Sequence, residues 1–298
     1  MGLGYFDKSV VLHRVSLIVV AVAIAIAIVI VICSPRCTSE PAASPRDPAK
    51  EDLSRVEYPS STGIAWGPHF IRPQDSLERL FAGDWVHVAR FNRIDRRHAY
   101  PGMTIKVPKR MEEIRRYKPL PIFYEPARKH PKYILVDVNE QWIGAYEYGL
   151  LRFSVPAATG TEKHPTPAGL FRVDAHHRTH TSSLYKTEKG DMQYPMDYAF
   201  RFYVGPDDVA FWAHARDMPG RPASHGCIGL YDENMQKRVY GYPDKPVLDD
   251  AKRLYGWVLG PERLSDDSGE LQIMEDGPLL EVKGPLPRYL DRPPKSPS

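Results

Sequence analysis

The segment Ser224-His225-Gly226-Cys227 places a thiol beside an imidazole and a glycine, and a second imidazole, His214, precedes Ser224 with nine residues between them. An isolated cysteine is usually a small buried apolar residue. A catalytic cysteine attacks as the thiolate, so it needs a base or oriented N–H groups nearby. Phe211-Trp212-Ala213-His214 has the apolar pattern of a strand end, which would hold His214 on a rigid element. These residues predict a Cys/His acyl-transfer site.

Gly226 supports this hypothesis, because glycine permits an unusual backbone turn and a close approach of substrate. The backbone N–H groups of Gly226 and Cys227 could then stabilise an oxyanion. The predicted roles are therefore Cys227 as nucleophile, His214 or His225 as the nearby imidazole, and Gly226 as part of an oxyanion site.

Three ordered motifs resemble one protein family. Ala223 to Ile228 (ASHGCI) resembles the signature of the L,D-transpeptidase (YkuD-type) catalytic domain, a family that cross-links or edits bacterial peptidoglycan. Lys132 to Val138, followed by Gln141-Trp142, resembles that family's opening hairpin. Ala158 to Gly169 (ATGTEKHPTPAG) resembles its "TG...HPTPxG" stretch. The resemblance covers residues 131–283, and three motifs in order are far more specific than one.

The resemblance implies a mechanism. Cys227 would form a thioester with a peptidoglycan stem peptide, cut between the L-centre of its diamino acid and D-alanine, and an amine acceptor on another strand or a wall-attached protein would complete the transfer. A histidine ahead of the signature acts as general base in this family, and the matching residue here is His214. The Ala215 carbonyl or a neighbouring polar group would orient it, while Ser224 and His225 shape the pocket and could tune the thiol. If water is the acceptor, the same site is a carboxypeptidase or amide hydrolase, and these residues leave the choice open. No cofactor is expected.

The chain departs from the family pattern at two positions. Gly229 stands where members usually carry Arg or Asn, and Ala215 stands where Gly is common after the base histidine. The short interval between His214 and Ser224 also predicts a trimmed loop over the cleft. Substrate choice is therefore less constrained than the chemistry.

Other polar residues offer weaker candidates. Arg221 precedes the cysteine and could hold a peptide carboxylate, as could Arg201, because guanidinium pairs with carboxylate in bidentate fashion. Thr166 and Ala215 are further substrate-binding candidates, and His164 is expected to be a turn or rim residue. The group His176, His177 and His180 could ligate zinc. No acidic or cysteine set completes it, so we expect no metal and a solvated polar loop from Asp174 to Asp191.

Length and charge bound the function class. The 298 residues fit two globular units and a tether. The 40 basic and 37 acidic residues give a net charge of +3, and no dense basic stripe interleaved with aromatics appears, so nucleic acid is not an expected partner.

An uncharged apolar stretch from Val15 to Ile32 would span about 27 Å as a helix, close to the hydrocarbon thickness of a bilayer. It predicts a membrane anchor over residues 15–33 after a cytoplasmic N-terminus at 1–14, with a cleaved secretory signal as the alternative. Lys8 and Arg14 before the span favour the amino end inside. The rest would lie outside the cytoplasm, in the periplasm of a cell envelope, held to the inner membrane by a single pass.

The remaining chain divides into a flexible linker at 34–67, a small domain at 68–109, a second linker at 110–130, the catalytic domain at 131–283 and a flexible tail at 284–298. The small domain reads strand, helix, helix, strand and resembles a LysM domain, with Asp75-Ser76-Leu77 and Tyr100-Pro101-Gly102 at matching places. The resemblance implies binding to peptidoglycan glycan strands. The alternatives are a purely structural βααβ unit and, for the whole protein, a non-catalytic wall-binding scaffold.

The catalytic region contains short apolar stretches typical of strands, and helical patterning mainly from Asp249 to Val258, with a short helix after Asp232. The predicted fold class is therefore mostly β (α+β): a YkuD-like β-sandwich or barrel with a peripheral helix. The predicted strands are Tyr133–Val138, Trp142–Tyr146, Phe153–Val155, Phe171–Val173, Tyr198–Val204 and Val209–Ala213.

Overall fold

The computed structural model describes residues 51–294, which are built mainly from β-strands. The strands are β1 (Val56–Glu57), β2 (Trp66–Phe70), β3 (Thr104–Pro108), β4 (Tyr133–Asp137), β5 (Trp142–Glu147), β6 (Leu150–Pro156), β7 (Gly169–Arg172), β8 (Ala175–Lys186), β9 (Gln193–Val204), β10 (Ala210–Ala215), β11 (Ile228–Leu230), β12 (Gln272–Ile273), β13 (Leu279–Lys283) and β14 (Arg288–Tyr289). The α-helices are α1 (Leu77–Phe81), α2 (Trp85–Asn92), α3 (Met111–Arg115), α4 (Glu233–Tyr240) and α5 (Asp250–Ser265).

Two five-stranded sheets form the larger part of the molecule. The first, here the cysteine sheet, has the order β11-β10-β9-β8-β12, and the second has the order β6-β5-β4-β13-β7. Strands β10 and β11 pair in parallel, and so do β4 and β13. Apolar residues of both sheets and of α5 share one core, because alternate side chains of each strand point inward. Its members include Ile134, Val136, Ile143, Val155, Phe200, Phe202, Ala213, Ala215, Ile228, Leu230, Leu254 and Val258.

This mostly-β architecture with a few helices agrees with the predicted fold class, and the predicted strands all overlap observed ones. The helix predicted from Asp249 to Val258 is the first part of α5. Gly260, with φ of 75°, breaks the helical conformation there, and Pro261 follows.

The polar loop predicted from Asp174 to Asp191 is wrong over most of its length. Ala175–Lys186 is a twelve-residue strand that pairs antiparallel with β9. Its sequence hides this because most of the strand past His176 is exposed or only partly buried, so no apolar run marks it. Threonine favours a strand, and pairing to the apolar β9 determines the rest.

The N-terminal module, residues 51–115, contains the predicted strand, helix, helix, strand order as β2, α1, α2 and β3. The predicted linkers differ from the structure. Within 34–67, the side chains of Leu53, Val56 and Tyr58 are buried, and β1 pairs with β14 of the predicted flexible tail. The second linker, 110–130, holds α3 and the buried Leu120 and Ala127. Apolar residues therefore pack in the described parts of these stretches, residues 51–67 and 110–130, although both are rich in proline and charge.

The N-terminal module shares its core with the larger domain. Met218, Tyr231 and Leu248 pack among the module's apolar side chains. The Tyr231 hydroxyl donates to the carbonyl of Ile94 at 3.0 Å. The Glu233 carboxylate, at the start of α4, is fully buried and pairs with the Arg96 guanidinium. The two regions are therefore packed against each other.

Within residues 51–294, no helix is both long and apolar enough to cross a bilayer. The predicted cytoplasmic segment and anchor, residues 1–33, lie outside the described residues, as does the linker up to residue 50.

Candidate active site

His214 and Cys227 lie on one face of the cysteine sheet. Ala213 and Ala215 of β10 point into the core, so His214 between them points to the opposite face. His214 pairs with Gly229 of β11, and Cys227 immediately precedes that strand. The Cys227 side chain packs with Trp212, on the same side as His214, rather than with the core between the sheets.

The tautomer of His214 is fixed by its own strand. Its Nδ1 lies 2.6 Å from the Ala215 carbonyl oxygen, which can only accept, so Nδ1 carries the proton and Nε2 is free to act as a base. The ring is buried, and burial lowers the pKa of His214 to about 3. The imidazole is therefore neutral at physiological pH.

Cys227 is partly exposed, as a nucleophile must be. Desolvation raises the pKa of its thiol above the ordinary value, while the backbone N–H of Trp212 and the charge of Arg216 act in the opposite direction. Among the described residues, no hydrogen bond joins the His214 ring to the Cys227 sulfur. The resting site thus holds a neutral thiol and a neutral imidazole rather than an ion pair.

Gly226 has a different role in the resting structure from the predicted oxyanion donor, because its N–H already donates to Ser224 Oγ at 3.0 Å. The Ser224 hydroxyl in turn donates to the Cys227 carbonyl at 2.5 Å, which closes the turn. Gly226 has φ of 110°, and a Cβ there would stand 2.5 Å from the Phe211 ring. Glycine is therefore required both by the backbone conformation and by this close packing.

The Thr159-Gly160 stretch holds the signature segment, defined as Ser224–Cys227. The Thr159 carbonyl accepts from the N–H of Ser224 at 3.0 Å, and the Ser224 carbonyl accepts from the N–H of Thr161 at 3.1 Å. Thr166, predicted to bind substrate, instead accepts the Gly160 N–H on its buried hydroxyl at 2.8 Å. The second motif therefore acts as the support of the first.

His225 lies at the rim of the site. Its exposed ring stacks on Tyr185 near the end of β8 with centroids 4.1 Å apart, and His164 lies 4.8 Å away. Burial, His164 and then Arg216 lower the pKa of His225. Tyr185 comes from the β8–β9 hairpin and His164 from the stretch before β7, so the rim depends on both segments.

In the described part of the chain, neither predicted carboxylate-binding arginine forms a hydrogen bond with Cys227 or His214. Arg201 pairs with Asp174 at 2.7 Å. Arg221 donates to the Pro222 carbonyl at 3.4 Å. Burial raises the pKa of Tyr289 in β14 to about 12, and the charge of Arg221 opposes that rise. The sequence prediction missed Arg216, which lies beside Gly229. Side chains two residues apart along a strand face the same side, so the position of Arg216 two residues after His214 could have indicated it.

A scan against protein families matches residues 131–273 to YkuD, described as the L,D-transpeptidase catalytic domain. This segment is a YkuD-type domain. The match includes β4 to β12, with His214 and Cys227 inside it, and the N-terminal module lies outside it.

Solved structures similar to the chain include an L,D-transpeptidase from Stackebrandtia nassauensis, with 17% identity, 69% of each chain covered and a TM-score of 0.36. Another is an L,D-transpeptidase from Mycobacterium smegmatis, with 17% identity, 52% of this chain and 59% of that chain covered, and a TM-score of 0.32. L,D-transpeptidase 1 of Mycobacterium tuberculosis has 19% identity, 52% and 62% coverage and a TM-score of 0.31.

A 3-hydroxybenzoate–CoA ligase from Aromatoleum sp. (strain CIB) is 34% identical over 62 residues, which are 19% of this chain and 12% of the ligase. The chain therefore spans about an eighth of that relative's length. Such low TM-scores and so short a segment carry no argument about activity.

The three histidines of β8 divide between two surroundings, with His177 and His180 together and His176 apart from them. His180 packs on Trp212 at 4.6 Å and lies with its Nδ1 3.1 Å from that of His177. Burial lowers the pKa of His180 to about 4. His176 faces away and bonds the Tyr255 hydroxyl at 2.9 Å.

One group in the described part of the chain has ligand atoms close enough for a cation, namely Asp95, His98 and Asp217. Its carboxylates already accept from neighbours. Asp95 accepts from Met218 N–H and Gln236, and Asp217 accepts from the Tyr194 and Tyr240 hydroxyls. We interpret it as a satisfied polar network between the module and the YkuD-type domain.

Proposed function

We propose that this protein is an L,D-transpeptidase that acts on peptidoglycan stem peptides through a thioester on Cys227. The observation that carries the proposal is the placement, within a YkuD-type domain, of a partly exposed thiol on the same sheet face as a neutral imidazole of fixed tautomer. Such a pair suits a nucleophile that is activated by an adjacent base.

In the proposed mechanism, Nε2 of His214 takes the thiol proton as sulfur attacks the donor carbonyl, because the Ala215 carbonyl occupies the Nδ1 side. The oxyanion is stabilised by the N–H of Cys227, and by that of Gly226 once it leaves Ser224 Oγ. The C–N bond breaks, the departing amine takes the proton from His214, and the thioester remains. An acceptor amine then attacks the thioester, gives its proton to His214 and releases Cys227.

Hydrolysis is the alternative outcome at the same residues. If water replaces the acceptor amine, the thioester yields a shortened stem peptide and no cross-link. The difference rests on water exclusion from the cleft. Tyr185 and His164, which flank His225 at the rim, are the groups that would restrict solvent there.

We also propose that the enzyme works in the cell envelope, held to the inner membrane by residues 15–33 with the YkuD-type domain in the periplasm. The apolar stretch in the sequence supports this. The N-terminal module is proposed as a LysM-like unit that binds glycan strands, which its strand, helix, helix, strand order supports.

The test incubates the full-length protein with disaccharide tetrapeptides and reads the products by mass spectrometry. Cross-linked dimers support a transpeptidase, and shortened stems alone support the hydrolase. Cys227→Ala is the matched control and is expected to give neither product and no β-lactam adduct at this residue. Absence of product and of any adduct on Cys227 in the wild-type protein would overturn both enzymatic proposals.

A wall-binding scaffold without catalysis predicts a different result. In that case wild-type protein and Cys227→Ala bind purified sacculi equally and neither changes them. Co-sedimentation with sacculi, followed by analysis of the released peptides, separates binding by the N-terminal module from chemistry at Cys227.

A further inference from the structure

Gly229 of β11 has no side chain, and Arg216, which directly follows the neighbouring strand β10, fills the space beside it. A Cβ at Gly229 would stand 2.5 Å from Cδ, 2.8 Å from Cβ and 3.1 Å from Cγ of Arg216. Gly229 itself is buried. The aliphatic part of Arg216 therefore occupies the volume that a side chain of residue 229 would need.

The Arg216 guanidinium contacts the segment that leads to Cys227. One terminal nitrogen donates to the Ala223 carbonyl at 2.8 Å, immediately before Ser224. The Arg216 N–H continues the β10–β11 ladder by donating to the Leu230 carbonyl at 2.8 Å. Arg216 thus ties β10, which holds His214, to the segment that leads into Cys227.

Arg216 forms no ion pair with a carboxylate within residues 51–294. The buried Arg93 and Arg96 and the partly buried Arg90 each do. Its Nε is buried and has no hydrogen-bond partner. A cation kept unpaired beside a thiol favours the thiolate and disfavours an imidazolium.

We propose that Arg216 is a positioning residue for Cys227: directly after β10, it supplies the side chain that position 229 lacks, holds the Ala223 carbonyl and stabilises the thiolate as it forms. The catalytic role of Arg216 rests on the proposed function, but the position of its side chain beside Gly229 is independent of that function.

The pKa directions agree with this placement. The Arg216 charge opposes the rise that burial causes in the pKa of Cys227, and it adds to the fall that burial causes in the pKa of His214. Other titratable side chains lie near Cys227 and His214, directly or next to the ring of His225. They are His180 and Tyr185 of β8, Tyr194 of β9, His164 before β7, and His225 itself.

The test moves the guanidinium group from position 216 to position 229. The variants are Arg216→Ala, Arg216→Lys, Gly229→Arg and the double variant Arg216→Ala/Gly229→Arg, each as the full chain. The rate of alkylation by iodoacetamide is measured from pH 6 to 10 on the peptide that contains Cys227, by mass spectrometry. This readout needs no peptidoglycan, so it stands even if the proposed substrate is wrong.

We expect Arg216→Ala to raise the apparent pKa of Cys227 by about one unit and to slow alkylation about tenfold below it, because an adjacent opposite charge shifts a pKa by about that much or more. Arg216→Lys should keep part of the rate. Gly229→Arg alone should lower the melting temperature through its clash with Arg216, and the double variant should alkylate within about threefold of wild type.

An unchanged pH profile in Arg216→Ala would overturn the proposal. So would a double variant that alkylates no faster than Arg216→Ala while both melt at the wild-type temperature. If Arg216→Ala does not fold, Arg216→Lys and the double variant decide. A double variant that does not fold contradicts the proposal, and so does a double variant whose apparent Cys227 pKa lies about one unit or more above that of wild type, because the guanidinium is restored there.

Discussion

Buried charges are paired at the interface of the N-terminal module but not on the sheet face around Cys227. At the interface, Arg96 pairs with Glu233 and Glu78 and packs on the Trp85 ring. At the site, Arg216 has no carboxylate partner in the described part of the chain, and His214 is kept neutral. Satisfied charges hold two regions in one arrangement, whereas unsatisfied polar groups remain available to a reacting molecule.

The largest effect should follow removal of His214, the proposed base. His214→Ala is expected to slow thioester formation on Cys227 by about 100- to 10,000-fold, because general base catalysis typically contributes that factor. Mass spectrometry of the β-lactam adduct over time measures it. His180→Ala, which alters a neighbouring buried imidazole, is the matched control and should cost far less. Equal rates in wild type and His214→Ala would remove His214 as the base.

At the interface the expected loss is in stability. Glu233→Ala should lower the free energy of unfolding by about 3–5 kcal/mol, because it leaves the buried Arg96 charge without its main partner. Denaturant unfolding checks this. The double variant Arg96→Met/Glu233→Leu removes both charges and should recover much of the loss. A double variant as unstable as the single one would show that the packing, and not the unpaired charge, sets the cost.

Acid should act through the histidines of the site. The folded pKa is lowered to about 3 for His214 and about 4 for His180, from an ordinary value of 6.5. Between these values the unfolded chain binds more protons, so stability falls as pH falls from about 6.5 toward 3. Denaturation midpoints from pH 7 to 4 should drop less in His214→Gln than in wild type. Parallel curves for the two proteins would contradict the assignment.

The smallest effect should come from the ion pair between Arg97 and Glu188, which links the module to the turn of the β8–β9 hairpin. Glu188 is exposed, so Glu188→Gln should cost about 1 kcal/mol or less. Thermal unfolding at low and high salt measures it, and the difference from wild type should shrink with salt. A salt-independent loss of several kcal/mol would place this pair with the buried interface charges instead.

Motif residues and strand patterns predicted much of the fold and the identity of the domain. The apolar stretches at Tyr133 and Trp142 indicated strands because their side chains are buried, and the signature segment predicted Cys227 as the nucleophile. The β8 strand was missed because its burial comes from β9 and not from its own sequence. The ordered stretch around Leu53 and Val56 was missed because its partner strand, β14, lies more than 200 residues later.

Roles within the site were harder to predict than its location. Thr166 and Ser224 were assigned to substrate or pocket, yet their hydroxyls bond backbone N–H groups of Gly160 and Gly226. Short polar side chains readily form such bonds, and a sequence does not show where a turn will bring them. Arg216 was missed because residue 229 was judged by its own identity rather than with its cross-strand neighbour.

The shared core around Tyr231 fixes the spacing between the N-terminal module and the thiol. Tyr231 is buried and bonds the Ile94 carbonyl, while Arg96 and Glu233 close the same interface. If the module binds a glycan strand, the distance from the bound sugar to Cys227 is fixed. Only stem peptides at one interval along that strand would then reach Cys227. The pattern of cross-links along a strand would record that interval.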